Sequence, residues 1–336
     1  MSALSGMTDI AIVGATGAVG KEMISCLHSE QFAVKTLRLF ASEKSAGRVV
    51  DTPFGAIQVE AFDVESVAQS RIVLMAVSGD FSLQYSRELV RRGCVVIDNS
   101  SAFRYDVEVP LIVPELNGQL IQRAKAQIIA NPNCTTAILA MALFPIYKAF
   151  GVKRVIASTY QATSGAGEPG MLELEQAMAA HVEKRPFTPS VFTHNICNNV
   201  IPCIDALQDN GYTKEEMKLA WESRKILGAD MLISCTAVRV PTMRAHCIAA
   251  TVETSKPVSV AEVVELLQAA PGVRVVNDSK SHQYPLPATA TNSAEVEVGR
   301  IRQSLVFGDC GIDIFVCGDQ LLRGAALNAV RIALLC

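Results

Sequence analysis

"NPNCTT", residues 131–136, sets Cys134 between an Asn-Pro-Asn turn and two threonines that open the apolar, helically spaced run "TTAILAMALFPIY". The residues before the turn, "QIIA", read as a strand. A cysteine so placed stands at the carboxyl end of a strand and the amino end of a helix, the edge on which open α/β sheets bind ligands. The helix terminus stabilises negative charge, so the thiolate, the nucleophilic form, is favoured there. A buried cysteine fitting a tight turn is the competing reading. The chain has ten cysteines, none in a C-x-x-C pair, and several lie in apolar runs such as "LISCTAV" and "IFVCGD". Those read as small hydrophobic residues in a reducing cytoplasm.

Covalent chemistry at a thiolate needs a proton-handling partner. The histidines are His28, His181, His194, His246 and His282. His246 stands just before the strand "CIAATVE", with Arg239 seven residues earlier. That boundary position makes it the best candidate, although a surface or core histidine fits its spacing equally well. Glu215 and Lys218 are three residues apart and share a helix face, which alone describes an exposed ion pair.

A second chemistry is written near the start. "IAIVGATGAVG" places Gly14, Gly17 and Gly20 after a strand and at the mouth of a helix. Glycines there permit a tight turn and let helix amides approach a pyrophosphate. The G-x-x-G-x-x-G spacing differs from the commoner G-x-G-x-x-G, so strand and helix context carry the reading. At the end of the next strand, "LFASEKSAGR" offers Ser42, Lys44, Ser45 and Arg48 in place of the acid that usually meets an NAD ribose. That set suits a 2′-phosphate and favours NADP; Glu43 weighs against it, and a solvated loop is the alternative.

The elements that must hold these residues change in texture along the chain. Up to about residue 130, continuous apolar runs ("TDIAIVG", "RIVLMAV", "CVVIDNSS") alternate with helical stretches, as in a parallel sheet covered on both faces. From about residue 151, runs such as "KRVIASTYQA" and "HCIAATVET" alternate more and have fewer helices between them, which predicts a second domain with a mixed or antiparallel sheet. "EKRPFTPSVFTHNICNNVIP" and "KSHQYPLPATATNS" read as irregular, and "DQLLRGAALNAVRIALLC" as a closing helix. A length of 336 residues accommodates two such domains. Thirty basic against 33 acidic residues give a net charge of −3, with no basic face for nucleic acid. The opening residues lack the basic segment of a signal peptide, and no apolar run reaches the ~20 residues of a membrane span. The partner these features leave is a small molecule.

Together these segments resemble the aspartate-β-semialdehyde dehydrogenase family over nearly the whole chain. "GATGAVG" is similar to its cofactor loop, "NSSAFR" to its phosphate-binding segment and "NPNCTT" to its nucleophile segment; "YQATSGAG", "RVPTMRAH" and "RGAALNAV" follow in the family's order. The resemblance implies an α/β fold. A Rossmann-like, doubly wound NADP domain would span residues 1–133 and 319–336, and an α+β catalytic and dimerisation domain with a mixed sheet 134–318. It implies Cys134 as the acyl-thioester nucleophile, His246 as general acid/base and Gln161 as the group orienting the acyl substrate. Arg239 would grip the α-carboxylate and Glu215 the α-ammonium, while Lys218, Arg104 and Asn133 would meet phosphate. Gly14, Thr16, Gly17, Ala18, Val19, Gly20, Lys44, Ser45, Ser164, Gly165 and Asn328 would hold NADP, and no metal is implied. The implied reaction is reductive dephosphorylation of L-4-aspartyl phosphate to the semialdehyde by a cytoplasmic homodimer or dimer of dimers. Lys44 stands where the family often has Arg, and "RAH" replaces a more usual Gly-His. N-acetylglutamyl-phosphate and glyceraldehyde-3-phosphate dehydrogenases share the Cys–His chemistry, but their substrates have no ammonium to match Glu215. A Cys–His hydrolase would leave the glycine loop unused, and a non-catalytic relative would not need Cys134, Gln161, Arg239 and His246 together.

Overall fold

The computed structural model describes residues 7–278 and 280–336. The chain divides into two compact units, one running to Asn133 and resumed by Ala325–Cys336, the other spanning Cys134–Gly324.

The first unit is built on seven strands: β1 (Thr8–Val13), β2 (Val34–Ala41), β3 (Val49–Thr52), β4 (Gly55–Ala61), β5 (Ile72–Met75), β6 (Val95–Asp98) and β7 (Ile128–Ala130). Their order is β3-β4-β2-β1-β5-β6-β7, parallel throughout except for the β3–β4 hairpin. All residues of β5 and β6 are buried, because a parallel sheet linked by crossover helices is covered on both faces. The chain moves from β1 outward to β2 and later returns to β1's other side as β5. The strand order therefore reverses at β1, and the crevice beyond its carboxyl end is the topological switch point.

The terminal helix, Leu327–Ala333, packs on the first helix, Ala18–Ser29. Its Arg331 forks between Glu30 at 2.9 Å and Glu115 at 2.7 Å. A π-helical turn, Leu322–Ala326, runs directly into this helix, so helical chain extends from Leu322 to Ala333 against the 319–335 expected from sequence, and the return to this unit begins at Ala325 rather than at 319. Side-chain anchoring is the reason: Asp319 accepts from Arg244, Asn292 N–H and Leu321 N–H, and Arg323 donates to the Ala294 carbonyl, all within the second unit.

The second unit holds β8 (Val152–Gln161), β9 (Leu232–Arg239), β10 (His246–Thr254), β11 (Val273–Val275), β12 (Val296–Gln303) and β13 (Gly311–Gly318), in the order β11-β12-β13-β10-β8-β9. The β8–β9 and β11–β12 pairs are parallel and the others antiparallel, a mixed sheet. Helix Cys134–Phe150 covers one face, packing on β8, β10, β12 and β13 and burying Thr135 through Leu143. Strand residues consequently alternate: Val155, Ala157, Thr159 and Gln161 are buried, while Ile156 and Tyr160 are exposed on the opposite face. The irregular stretch after helix Gly167–Val182 is anchored by the buried Glu173 carboxylate, which accepts the Ser190 amide at 2.7 Å and the Phe192 amide at 3.1 Å. Among the described residues no helix is long and apolar enough to cross a membrane.

Candidate active site

In the first unit the glycine loop lies at the switch point. Gly14 has φ +84°, and a Cβ there would come within 2.2 Å of the Ala76 carbonyl oxygen beyond β5. A Cβ on Gly20 would come within 2.3 Å of the Gly14 carbonyl oxygen, so this glycine lets the helix sit on the loop. Gly17 is different: a Cβ there meets only the Gly14 oxygen, at an ordinary 3.5 Å. Gly17 caps a helix that has no side-chain cap and no acid in its first turn, which leaves its amino end suited to an anion. Thr16, Ala18 and Val19 flank it, half-buried. Gly14 N–H bonds to the Phe40 carbonyl, which brings the end of β2, and with it the turn carrying Lys44 and Ser45, beside the loop.

The "NSSAFR" segment and Asn131 form a second cluster in this unit. Arg104 is buried and donates to the carbonyls of Asn131 at 2.8 Å and Asn99 at 2.7 Å. Three asparagine amides run in series. Asn328 donates to Asn131 Oδ1 at 2.6 Å, Asn131 donates to Asn99 Oδ1 at 2.6 Å, and Asn99 donates to the Met75 carbonyl at 2.9 Å. Asn328 Oδ1 is buried and has no hydrogen-bond partner among the described residues. A free acceptor, an uncrowded glycine and an uncapped helix start are features that fit a dinucleotide with a carboxamide and a pyrophosphate. Asn99 and Asn131 were not singled out from sequence, where nothing local distinguishes a structural asparagine.

In the second unit Arg239, Gln161 and His246 occupy adjacent strand ends. Gln161 closes β8 in register with Arg239, which closes the parallel β9. His246 opens the antiparallel β10, whose next residue, Cys247, pairs with Tyr160. Side chains alternate along a strand, so Tyr160 and Cys247 lie on the opposite face of the sheet, Cys247 buried against Ala290 and Cys317, while Gln161, Arg239 and His246 share the face covered by the helix that Cys134 begins. Cys134 itself is half-buried, and a Cβ on Gly324 would reach its Cβ at 2.5 Å.

One peptide unit positions two of these side chains. Ala162 donates its N–H to His246 Nδ1 at 3.0 Å and accepts from Arg239 Nη1 at 2.7 Å through its carbonyl. Residues 162–164 are tied in turn to the loop before His246 by Thr163 N–H to the Thr242 carbonyl and Ser164 N–H to the Met243 carbonyl. Gln320 bonds the Ser164 hydroxyl and accepts the Ala245 N–H at 2.8 Å. Ala245 has φ +70°, a left-handed conformation that glycine adopts readily. The backbone before His246 thus takes the shape expected of Gly-His although the side chain is alanine. Gly165 lies over the pair, where a Cβ would stand 2.6 Å from Arg239 Nη1 and 3.2 Å from His246 Nε2.

Burial pushes the His246 ring well below the ordinary imidazole range; Arg239 adds to this, and the Ala245 backbone opposes it. Burial also draws the Arg239 guanidinium down, against Glu215 and Cys134, which raise it. Arg239 further stacks over Phe192, with 5.8 Å to the ring centroid.

Glu215 and Lys218 are not the exposed pair that spacing alone suggests. Both are largely enclosed: Lys218 Nζ lies 3.1 Å from Glu215 and 2.8 Å from Asp205, and Gln161 donates to the other Glu215 oxygen at 3.2 Å. Their helix, Lys214–Leu227, opens with a capping box of Thr213 and Glu216, and Glu216 also accepts the Ala237 N–H of β9. That double use of Glu216 aims the first helical turn, and hence Glu215, at the strand ends. Asp205 and Ala162 were missed from sequence; both act through contacts remote along the chain.

Residues 9–124 match the family described as "Semialdehyde dehydrogenase, NAD binding domain", and residues 143–323 match "Semialdehyde dehydrogenase, dimerisation domain". The chain is 42% identical to an aspartate-semialdehyde dehydrogenase of Campylobacter jejuni over 330 residues, covering 96% of each chain. It is 39% identical to the Synechocystis sp. enzyme of that name over 325 residues, again covering 96% of each. A crystal structure of aspartate semialdehyde dehydrogenase II from Vibrio cholerae, complexed with ASA, superposes with a TM-score of 0.94 at 38% identity and 98% coverage of both chains.

Proposed function

The chain belongs to the aspartate-semialdehyde dehydrogenase family, and from that premise we propose how its residues carry out the activity the family shares. The reaction is the reversible conversion of L-4-aspartyl phosphate to L-aspartate 4-semialdehyde with release of phosphate, a step in aspartate-derived amino-acid biosynthesis. Cys134 is the nucleophile: its thiolate, favoured by the helix start and by the Arg239 guanidinium, takes the acyl group from phosphate as a thioester. Gln161 orients that acyl group. Arg239 grips the α-carboxylate, a task suited to a planar fork, and Glu215 receives the α-ammonium. Arg104, Asn133 and Lys218 bind phosphate. The observation that carries this reading is the row of Arg239, Gln161 and His246 on three neighbouring strand ends, with Glu215 bonded to Gln161.

The cofactor is NADP, which supplies or accepts hydride at the thioester carbon when bound. Gly14, Thr16, Gly17, Ala18, Val19 and Gly20 cradle its pyrophosphate, and Lys44 and Ser45 meet its 2′-phosphate. Ser164, Gly165 and Asn328 bind its nicotinamide end, with Asn328 Oδ1 as a ready acceptor. The protein is cytoplasmic and pairs as a homodimer, alone or as a dimer of dimers. Its interface is the uncovered face of the second sheet, where Ile156, Tyr160 and Leu232 are exposed. The test is reduction of NADP with aspartate semialdehyde and phosphate, repeated with glyceraldehyde 3-phosphate and with NAD. Turnover of glyceraldehyde 3-phosphate but not of aspartate semialdehyde would overturn the assignment.

A further inference from the structure

Resting on the reading of Arg239 as the residue that binds the α-carboxylate, we propose that Phe192 is a positioning residue of that site. Its ring holds the plane of the Arg239 guanidinium, and the buried Glu173 carboxylate holds the ring in place.

Residues 190–201 form a strap fastened at both ends. At its start stands the Glu173 carboxylate, on helix Gly167–Val182. One of its oxygens accepts the Ser190 amide, the Ser190 hydroxyl and the Val191 amide, while the other accepts the Phe192 amide alone, at 3.1 Å. Burial works to raise this carboxyl, but the amides outweigh it and hold it low. At the other end Ile201 exchanges both backbone bonds with Arg239 itself: Ile201 N–H donates at 2.9 Å and Arg239 N–H donates back at 2.8 Å. Between these anchors Ile196 and Ile201 join Leu174 of the helix in a buried apolar cluster, and Phe192 packs against it. The ring so held lies with its centroid 5.8 Å from the guanidinium carbon of Arg239.

That placement meets a need of the guanidinium. The protein bonds it at Nη1, which donates to the Ala162 carbonyl at 2.7 Å; Nε and Nη2 have no hydrogen-bond partner among the described residues. One hydrogen bond at the tip of a flexible side chain fixes a point and leaves the plane free to tilt. A carboxylate held by two parallel N–H···O bonds needs that plane fixed, because fork and carboxylate must be coplanar. An aromatic ring against the guanidinium supplies the constraint, since this weakly hydrated cation stacks on aromatic faces. Arg239 is buried, so the contact is made largely out of water, where the attraction is strongest. Phe192 has no polar side-chain atom to offer a carboxylate and therefore acts through Arg239. A ring that merely filled space would be replaced equally well by leucine, which suits the same apolar cluster.

The test is steady-state kinetics of NADP reduction with aspartate semialdehyde and phosphate. Phe192→Leu should raise KM for aspartate semialdehyde about 5–30-fold, the range of a desolvated cation–π contact. Its kcat should change by less than about twofold, as when a contact made equally in ground and transition states is lost. KM for phosphate and for NADP should stay within about twofold of wild type, since the reading assigns neither to Arg239. Phe192→Tyr keeps the ring face and should restore KM for aspartate semialdehyde to within about twofold of wild type. Glu173→Gln is a local release: its oxygen can keep the Ser190 and Val191 donors while its NH2 group meets the Phe192 amide, so KM for aspartate semialdehyde should rise here too. An unchanged KM for aspartate semialdehyde in Phe192→Leu or Glu173→Gln would overturn the proposal. An equal rise in the KM of all three substrates, or equal defects with leucine and tyrosine, would do the same by reducing Phe192 to a packing residue. Failure of the carboxylate reading is distinguished by Arg239→Lys, which would then leave KM for aspartate semialdehyde unchanged.

Discussion

The three loop glycines answer to different constraints, and Gly17→Ala separates them. A Cβ at position 17 has its nearest neighbour at 3.5 Å, and the backbone there, φ −78° and ψ 169°, suits alanine. Losing glycine at a helix cap costs about 0.5–1 kcal/mol, and stiffening the unfolded chain returns about 0.4–1 kcal/mol. The two nearly cancel, so thermal unfolding of Gly17→Ala should fall within about 2–4 °C of wild type. Gly20→Ala puts a Cβ 2.3 Å from a carbonyl oxygen and should lose about 1–3 kcal/mol or more to overpacking. On the cofactor reading proposed above, the same methyl at 17 would stand where the pyrophosphate approaches the helix amides, so NADPH titration followed by fluorescence should show at least about a tenfold weaker Kd, ~1.4 kcal/mol. Wild-type NADPH affinity in Gly17→Ala, or a loss of stability matching that of Gly20→Ala, would refute the argument.

Cys134→Ser should lose nearly all activity, because a hydroxyl is far less ionised than a thiol; full activity would end the covalent mechanism. Arg239→Lys keeps the charge but not the fork, so it should raise KM for aspartate semialdehyde while iodoacetamide still modifies Cys134; an unchanged KM would dismiss the carboxylate assignment. Burial works to raise the Asp205 carboxyl, but Lys218 and the Ala206 amide outweigh it and hold it low. That stabilisation is complete above the unfolded value, about 3.9, and is lost as pH falls through the lower folded value. Lys218→Met should therefore flatten the acid limb of stability in pH-dependent urea unfolding; an unchanged limb would show the Asp205–Lys218 contact to be inconsequential.

The parallel sheet, the mixed sheet and the place of Cys134 between a strand end and a helix start were legible because each is written in a local pattern. Apolar runs such as "IVLM" in β5 state burial on both faces, and "QIIA" followed by "TTAILA" states a strand end and a helix start around Cys134. His246 was legible only as the best of five candidates, since what distinguishes it is the Ala162 amide, 84 residues away. Glu215 and Lys218 were legible as a pair but not as a buried one, because Gln161 and Asp205 reach them from other elements. The last helix was drawn a few residues long: the Asp319 side chain accepts the amides of Leu321 and Leu322, and a π turn, Leu322–Ala326, then leads into the α-helical Leu327–Ala333.

The amides of Asn328, Asn131 and Asn99 all point the same way, and this gives the series a direction. Turning the Asn131 amide alone would set nitrogen against nitrogen on one side and oxygen against oxygen on the other, so no member can flip by itself. Each bond polarises the next, and the dipoles add along the line, from the Met75 carbonyl to the unpartnered oxygen on Asn328. The array behaves as one polar object with a fixed negative pole. Exchanging any one asparagine for aspartate removes an NH2 group and breaks the series at that point, so slow deamidation at any of the three sites would silence all of it.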